Sequence, residues 1–236
     1  IRDRPTVQNP TGTIMSKKRR LEILRIAEKY NILIFEDDCY ADLIWDRSRP
    51  RALYSLCDDS RVVYCGSFSK SIAPALRVGY VVASWEVISK IVSIKNDGGS
   101  GAIEQMILAD FCSKQFDGHV NKLVKDLKAK CDIMVGSLEK EFGSTAEFSV
   151  PKGGIFVWIT LPGSVDTKKL SIISAEKGIT INPGSEWVSN PNNGTHKMRL
   201  CFANPEIDVI TDGIKKLSTC LLYTSPSPRD ATLSRM

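Results

Sequence analysis

A serine-rich loop that ends in a lysine is the first stretch of the sequence that could carry chemistry. The stretch GSFSK, residues 66–70, follows the apolar run Arg61–Cys65, and Arg77 comes seven residues after Lys70. A lysine at the carboxyl end of a buried strand lies where open α/β sheets bind ligands, and its amine can form a Schiff base with an aldehyde. The nearby hydroxyls and cations could bind a phosphate. Taken alone, the simpler interpretation is a surface lysine in a polar loop.

Acidic residues follow a second apolar run. Ile32–Phe35 leads directly into Glu36, Asp37 and Asp38, and Tyr40 comes two residues later. Adjacent carboxylates could bind Mg²⁺ or act in general acid–base catalysis. They could equally cap the segment that follows them. The sequence of this cluster alone favours capping or solvation.

Two isolated features complete the set of candidates. The sequence NPTG, which begins at Asn9, is a turn by its chemistry, and only its position could give it a function. Arg199 lies within the apolar run Met198–Ala203. An arginine there is costly unless it is paired or binds an anion, so an internal ion pair and an anionic ligand are both open.

The first half of the chain alternates short apolar runs with helical patterns. This alternation predicts a mostly parallel sheet with both faces covered. Ser16 is a plausible N-cap for a helix over Lys17–Tyr30. We interpret the basic run KKRR, residues 17–20, as the solvated start of this helix, in preference to a nucleic-acid patch. The predicted strands are Ile32–Phe35, Arg61–Cys65 and Gly79–Ala83.

The rest of the chain changes from helical to mixed patterns. Helices are predicted over Trp85–Lys95, Ala102–Lys114 and about Asp117–Phe142, and an α+β module follows them. These patterns predict a partial large domain over residues 1–98, a helical connection over 99–142 and a small domain over 143–222. Residues 223–236 are expected to be a disordered or non-native tail. The module's predicted elements are strands Ile155–Leu161, Ile179–Asn182 and Met198–Ala203, and helices Thr167–Lys177 and Pro205–Leu221.

Composition narrows the classes of protein. The 236 residues are 42% hydrophobic and 25% charged, with a net charge of +5, which is ordinary for a globular chain. The seven cysteines are odd in number and no pair has CxxC spacing, so neither a disulfide scaffold nor a zinc site is expected. We therefore predict no metal site and a reducing, cytoplasmic location. No apolar stretch is long enough for a membrane span, and a targeting sequence upstream of Ile1 stays open.

The order of the motifs is more informative than any one of them. Five motifs occur along the chain in a fixed order: Asn-Pro-x-Gly, Asp-x-x-Tyr after a strand, Ser-x-Ser-Lys with a trailing Arg, Gly-Gly-x-Phe, and an Arg in a late strand. This order resembles the class I/II aminotransferases of pyridoxal-phosphate (PLP) fold type I, in particular the branch of 2-aminoadipate, aromatic and kynurenine aminotransferases. The resemblance runs from about Pro5 to Leu221, and GSFSKSIAPALRVGY is its most specific part. It implies an amino-terminally truncated member with an α/β fold: a partial large domain with a mostly parallel sheet, and a small α+β carboxyl-terminal domain.

The resemblance implies which residues would bind pyridoxal 5′-phosphate. Lys70 would form the Schiff base and move the substrate proton, and Asp37 would pair with the pyridine nitrogen and keep it protonated. Tyr40 and Asn9 would hydrogen-bond the ring's 3′ oxygen. The implied catalytic residues are Lys70, Asp37 and Tyr40.

The same resemblance implies how anionic groups would be held. Ser67, Ser69 and Arg77 would bind the cofactor phosphate. Arg199 would bind the substrate α-carboxylate in a bidentate contact, and Asn9 would contribute to the substrate site. The family's ring-stacking aromatic and its remaining phosphate donors belong to a part that precedes Asn9, so residues 1–236 alone are expected to be inactive.

The implied activity is a ping-pong transamination between an α-amino acid of the aminoadipate or aromatic type and a 2-oxo acid. The implied assembly is a homodimer, and these residues are expected to bind neither nucleic acid nor membrane. One alternative is the aminotransferase-like effector domain of a MocR-type transcriptional regulator, which shares the acidic and Ser-Lys motifs. Retention of Tyr40 favours the enzyme. A third possibility is a PLP lyase of the aminocyclopropane-carboxylate synthase kind.

Overall fold

The computed structural model describes residues 1–46, 48–57 and 60–221. The chain divides into two compact units. The first comprises residues 1–9, 13–126 and 152–154, and the second comprises residues 10–12, 127–151 and those from 155 on. The tail predicted over 223–236 lies outside the described residues.

A four-stranded sheet organises the first unit. Its strands are β1 (Arg2–Asp3), β2 (Ile34–Asp37), β3 (Val62–Ser67) and β4 (Gly79–Val82), in that spatial order. The first three are parallel, and β4 is antiparallel to β3. The mostly parallel sheet is confirmed. The expectation of two covered faces is wrong for β4, whose four residues are all exposed.

The antiparallel course of β4 has a local cause. A parallel neighbour needs a long crossover, usually a helix. Only a loop with the short 3₁₀ turn Pro74–Leu76 joins β3 to β4, so the chain turns back and pairs Ser67 with Gly79.

Helix α1 (Lys17–Lys29) packs on the first sheet through its buried face. Ser16 caps it by accepting a hydrogen bond from the Arg19 amide at 3.3 Å. Leu24 and Ala27 form a buried cluster with residues of β2, β3 and the intervening loop. Arg20 is also on this buried face and is 0% exposed, so the prediction of a solvated helix start is wrong at Arg20.

Two helices follow the sheet. Helix α2 spans Trp85–Ile94, and α3 spans Ala102–Phe142, a single helix of 41 residues where two were predicted. The division between the two units falls within α3, after Asp126. Among the described residues, no helix combines the length and the apolar character that crossing a bilayer requires.

The second unit is an α+β module, and the predicted fold class is confirmed there too. Its elements are β5 (Glu147–Phe148), β6 (Phe156–Thr160), α4 (Thr167–Glu176), β7 (Asn182–Pro183), β8 (Lys197–Cys201) and α5 (Ile207–Leu221). The four strands form an antiparallel sheet in the spatial order β5-β6-β8-β7. Asp166 caps α4 by accepting hydrogen bonds from the Lys168 and Lys169 amides. Of the strand predicted over Ile179–Asn182, only Asn182 lies in a strand of the structure.

Candidate active site

The carboxyl ends of β2 and β3 bring two candidate residues to one edge of the sheet. Asp37 is the last residue of β2 and pairs in register with Cys65 of β3. β3 ends at Ser67, and Lys70 lies in the turn that follows. Because the two strands are parallel, their carboxyl ends share an edge. This is the position at which open α/β sheets bind ligands.

The turn that carries Lys70 is fixed by its own backbone. The Ile72 and Ala73 amides donate to the Phe68 carbonyl at 2.9 and 3.1 Å. A ring nitrogen of His119 lies 2.9 Å from the Ser71 carbonyl oxygen, which ties α3 to the residue after the lysine. The Lys70 side chain itself is exposed, and within the described part of the chain it makes no hydrogen bond or ion pair. Its amine is therefore available for chemistry.

Gly66 allows an aromatic residue to cross the strand before this turn. Gly66 pairs with Tyr80 of β4, and a Cβ at Gly66 would collide with the Tyr80 ring. The Tyr80 ring lies 5.7 Å from the Phe68 ring and 6.1 Å from the Tyr64 ring, centroid to centroid. The glycine of the GSFSK stretch is thus needed for packing.

Two arginines hold the carboxylate of Asp37. Arg2 Nη2 and Arg4 Nε donate to Oδ2 at 2.7 and 2.9 Å. Burial acts to raise the pKa of Asp37, but the hydrogen bond from Arg2 and the charge of Arg4 outweigh it and lower the pKa below its ordinary value. The carboxylate is therefore ionised at neutral pH.

Three further residues of the first unit, Cys39, Tyr40 and Asn9, are half-buried or buried. Burial, followed by the charge of Asp37, raises the pKa of the Cys39 thiol to about 12. Tyr40 is 5% exposed in the turn after β2. Asn9 is half-buried in a loop that is closed by a hydrogen bond from the Gln8 amide to the Thr13 carbonyl at 2.9 Å.

The predicted phosphate-binding residues differ in how they are held. Ser67 Oγ accepts from the Ser69 amide at 3.1 Å, so these two residues form one small turn. Arg77 is exposed with a positive φ of 52°, which is uncommon for a residue with a side chain. Its Nη1 donates back to the Pro74 carbonyl at 3.1 Å. The serines and the arginine lie before and after the Lys70 turn.

Arg199 lies in the second unit, on β8 between β6 and β7. It is 9% exposed, and its Nη2 donates to Asn182 Oδ1 at 2.9 Å. Its guanidinium carbon lies 3.6 Å from the centroid of the Trp187 ring and 4.0 Å from that of Phe156. Both rings attract the cation. Sequence reasoning named Arg199 but missed Trp187 and Asn182 as its neighbours.

A second cluster that sequence reasoning missed surrounds Asp38. Asp38 is 5% exposed, and its Oδ2 accepts from Tyr64 Oη and from Arg49 Nη2, each at 3.0 Å. Arg49 Nη1 also donates to Asp42 at 3.0 Å. Burial and the Asp38 charge raise the pKa of the Tyr64 hydroxyl, so it remains a donor. Of the three adjacent acids, Asp37 is the one whose carboxylate lies at the candidate site.

The chain belongs to the aminotransferase class I and II family, whose model matches residues 5–217. It is 32% identical over 217 residues to aromatic-amino-acid aminotransferase 1 of Thermococcus litoralis, covering 91% of this chain and 52% of that protein. It is 36% identical over 216 residues to the uncharacterized HTH-type transcriptional regulator YdfD of Bacillus subtilis, covering 90% of this chain and 44% of that protein. The chain thus spans about half the length of these curated relatives.

Solved structures agree on the fold. The α-aminoadipate aminotransferase LysN of Thermus thermophilus, solved with N-(5′-phosphopyridoxyl)-L-leucine, matches with a TM-score of 0.88 at 27% identity, covering 94% of this chain and 58% of that one. The resemblance to PLP-dependent aminotransferases of fold type I is confirmed.

The residues of the first unit fit this cofactor. An unpaired, exposed lysine amine suits an aldehyde, and an ionised aspartate at the neighbouring strand end suits a protonated pyridine nitrogen. Arg2 and Arg4 already hold Asp37 Oδ2. A pyridinium donor would have to share that oxygen, use the other one or displace an arginine.

Proposed function

We propose that these residues belong to a PLP-dependent aminotransferase that moves an amino group between an α-amino acid of the aminoadipate or aromatic type and a 2-oxo acid. The observation that carries the proposal is the exposed amine of Lys70 at the carboxyl end of β3, next to the strand end that presents the ionised Asp37.

The bound cofactor would supply an electron sink for the bond that is broken at the substrate's α carbon. Lys70 Nζ would bind the cofactor aldehyde and, when released, accept and return the α proton. Asp37 would keep a proton on the pyridine nitrogen. Tyr40 and Asn9 would donate to the ring hydroxyl oxygen, and the two serines of the GSFSK stretch would orient the phosphate together with Arg77.

Arg199 would bind the substrate α-carboxylate. A guanidinium offers two parallel donors that match the two oxygens of a carboxylate. The Trp187 and Phe156 rings and Asn182 hold this guanidinium in one orientation. A pre-oriented guanidinium loses less freedom when the substrate binds. Asn9 is proposed as a second substrate contact.

We further propose that the protein acts as a homodimer in the cytoplasm, and that residues 1–236 alone are inactive. The exposure of all of β4, and of Trp85 and Met106 at 77% and 72%, supports a larger assembly, because exposed apolar patches commonly mark interaction surfaces.

A second candidate is the effector domain of a transcriptional regulator. The 36% identity to the HTH-type regulator YdfD favours it. The two proposals share the cofactor site and differ in turnover: the enzyme converts its substrate, whereas the effector domain binds a ligand and needs a DNA-binding domain.

The test is turnover by the full-length protein, supplied with PLP, an aromatic or aminoadipate donor and 2-oxoglutarate. We expect amino-group transfer that Lys70→Ala abolishes and that the control Lys90→Ala, at an exposed position on α2, leaves unchanged. Cofactor binding without turnover, together with binding to operator DNA, would instead support the regulator.

A further inference from the structure

Arg20 is a fully buried arginine on α1 whose side chain contacts several separate backbone segments. Nε donates to the Met15 carbonyl at 3.0 Å and Nη1 to the Arg51 carbonyl at 3.2 Å. Nη2 donates to the Pro5 carbonyl at 2.8 Å and to Thr6 Oγ1 at 2.9 Å. All three nitrogens of the guanidinium are therefore used to hold other parts of the chain.

Three of these hydrogen bonds, to Pro5, Thr6 and Met15, hold the two ends of the loop that carries Asn9. Pro5 and Thr6 lead into the loop and Met15 leaves it, and the Met15 amide donates to the Pro5 carbonyl at 2.8 Å. The base of the loop is thus closed by one backbone hydrogen bond and by Arg20.

The same loop contains a strained residue. Val7 has a φ of +56°, which is a genuine outlier for a β-branched side chain. Strain of this kind persists only where the surroundings over-determine it, and it is common at ligand sites. Gly153 and Gly154 pack so closely on Val7 that a Cβ on either would press into its side chain. Arg20 holds Pro5 and Thr6, the two residues before Val7, through hydrogen bonds.

Glu36 connects Arg20 to the strand that presents Asp37. Its carboxylate, 0% exposed, accepts from the Leu53 and Tyr54 amides at 2.9 and 3.0 Å, and its Oε1 lies 3.8 Å from Arg20 Nη1. Successive side chains of a strand point to opposite faces, so Glu36 is anchored in the interior while Asp37, the next residue, points away from it.

We propose that Arg20 and Glu36 form a positioning pair that fixes the Asn9 loop relative to the Asp37 end of β2, so that both residues are in place before the cofactor binds. Neither residue contacts the cofactor in this proposal. It rests on the proposed function for the roles of Asn9 and Asp37. Its basis in the fold is the set of hydrogen bonds from one buried guanidinium to both sides of one loop.

The test must separate positioning from global stability. Arg20→Met leaves the buried Glu36 without its cation, which by itself is strongly destabilising. The double variant Arg20→Met/Glu36→Gln removes both charges, and the glutamine oxygen can still accept from one of the two backbone amides that Glu36 binds. The double variant should therefore retain the fold while lacking every hydrogen bond from Arg20 to the loop. Arg25→Met is the matched control, because Arg25 is an exposed arginine on the same helix.

Hydrogen exchange in the full chain gives the direct readout. The amides of Gln8 and Met15, which close the loop, should exchange about tenfold or more faster in the double variant, as expected from losing hydrogen bonds to a charged group. The amides of α1 and β3 should accelerate only by the factor that the shift in the denaturation midpoint implies, because losing the buried hydrogen bonds of Arg20 also lowers global stability. Arg20→Lys keeps the charge but loses the planar set of guanidinium donors, so exchange at Gln8 and Met15 should be intermediate between the wild type and the double variant. Arg25→Met should match the wild type.

Cofactor affinity is the second readout, measured by spectroscopic titration of the same variants with PLP. We expect the double variant to bind about tenfold more weakly, a loss equal to about 1.4 kcal/mol, and Asn9→Ala to weaken binding as well. Wild-type exchange at Gln8 and Met15 in the double variant, or equal acceleration of all amides of the first unit, would overturn the positioning role. If Asn9→Ala binds PLP normally while the loop loosens in the double variant, the proposed role of Asn9 fails and the positioning of the loop stands.

Discussion

Replacing Arg199 by leucine separates its contribution to the fold from its contribution to carboxylate binding. The change removes the hydrogen bond to Asn182 and the contacts of the cation with the Trp187 and Phe156 rings. It also removes a cation from a position that is 9% exposed. The first effect destabilises the second unit, and the second effect stabilises it.

The two effects are similar in size. A hydrogen bond contributes about 1 kcal/mol net, and each cation–π contact contributes about 0.5–2 kcal/mol. Against these stands a desolvation penalty of several kcal/mol for a buried ion. We therefore expect Arg199→Leu to change the free energy of unfolding by less than about 2 kcal/mol. The affinity for a substrate carboxylate should fall by about 2–5 kcal/mol, or roughly 30- to 5,000-fold.

The assay is a denaturant titration for stability, with the affinity of the full-length protein for a 2-oxo acid measured by calorimetry. Lys197→Leu is the matched control: Lys197 is a half-buried cation two residues earlier on β8, on the same face of the strand, and its loss changes the net charge equally. Equal weakening by the two variants would show a general charge effect. Normal affinity in Arg199→Leu would refute the carboxylate role.

Three further predictions concern other parts of the chain. At pH 8 the exposed Cys201 should react with a thiol reagent well before Cys39 and Cys131, because burial raises the pKa of each of these thiols to about 12; mass spectrometry of a short labelling reaction would reveal any reversed order. Asp37 has a folded-state pKa below its ordinary value of 3.8, so it stabilises the fold above that pH and loses this contribution as the pH falls through the folded pKa. Asp37→Asn should therefore flatten the acid limb of the stability curve, and an unchanged limb would contradict the two arginine contacts. Val82→Lys, on the exposed edge strand β4, should reduce aggregation measured by light scattering without lowering the denaturation midpoint; undiminished aggregation would show that another surface is responsible.

The order of the motifs predicted the fold and the placement of Asp37 and Lys70 at neighbouring strand ends, because the family has these motifs at strand ends. Local patterns placed the helices and the main strands within a few residues. They did not predict the single helix α3: the two predicted helices leave a gap at residues 115–116, where the structure continues one helix from Ala102 to Phe142 and the sequence has neither glycine nor proline to end it. The exposed faces of β4 depend on what packs against it, which no local pattern records.

Arg20 illustrates a signal that was present but masked by its neighbours. The spacing of Arg20, Leu24 and Ala27 is i, i+4, i+7, which places all three on one face of a helix. The basic run around Arg20 indicated solvent instead. The contacts of Arg199 with Trp187 and Asn182 had no comparable signal, because Asn182 meets Arg199 through the register of two short strands and Trp187 follows a 3₁₀ turn after β7.

Borohydride reduction of the PLP-loaded full-length protein tests the central claim most directly. It converts a lysine–cofactor linkage into a stable secondary amine that peptide mapping can locate. We predict a single modified peptide with the label on Lys70, the exposed lysine in the turn after β3, and no label in the Lys70→Ala variant. A label on Lys90 or Lys95, or none at any lysine of the chain, would contradict the account.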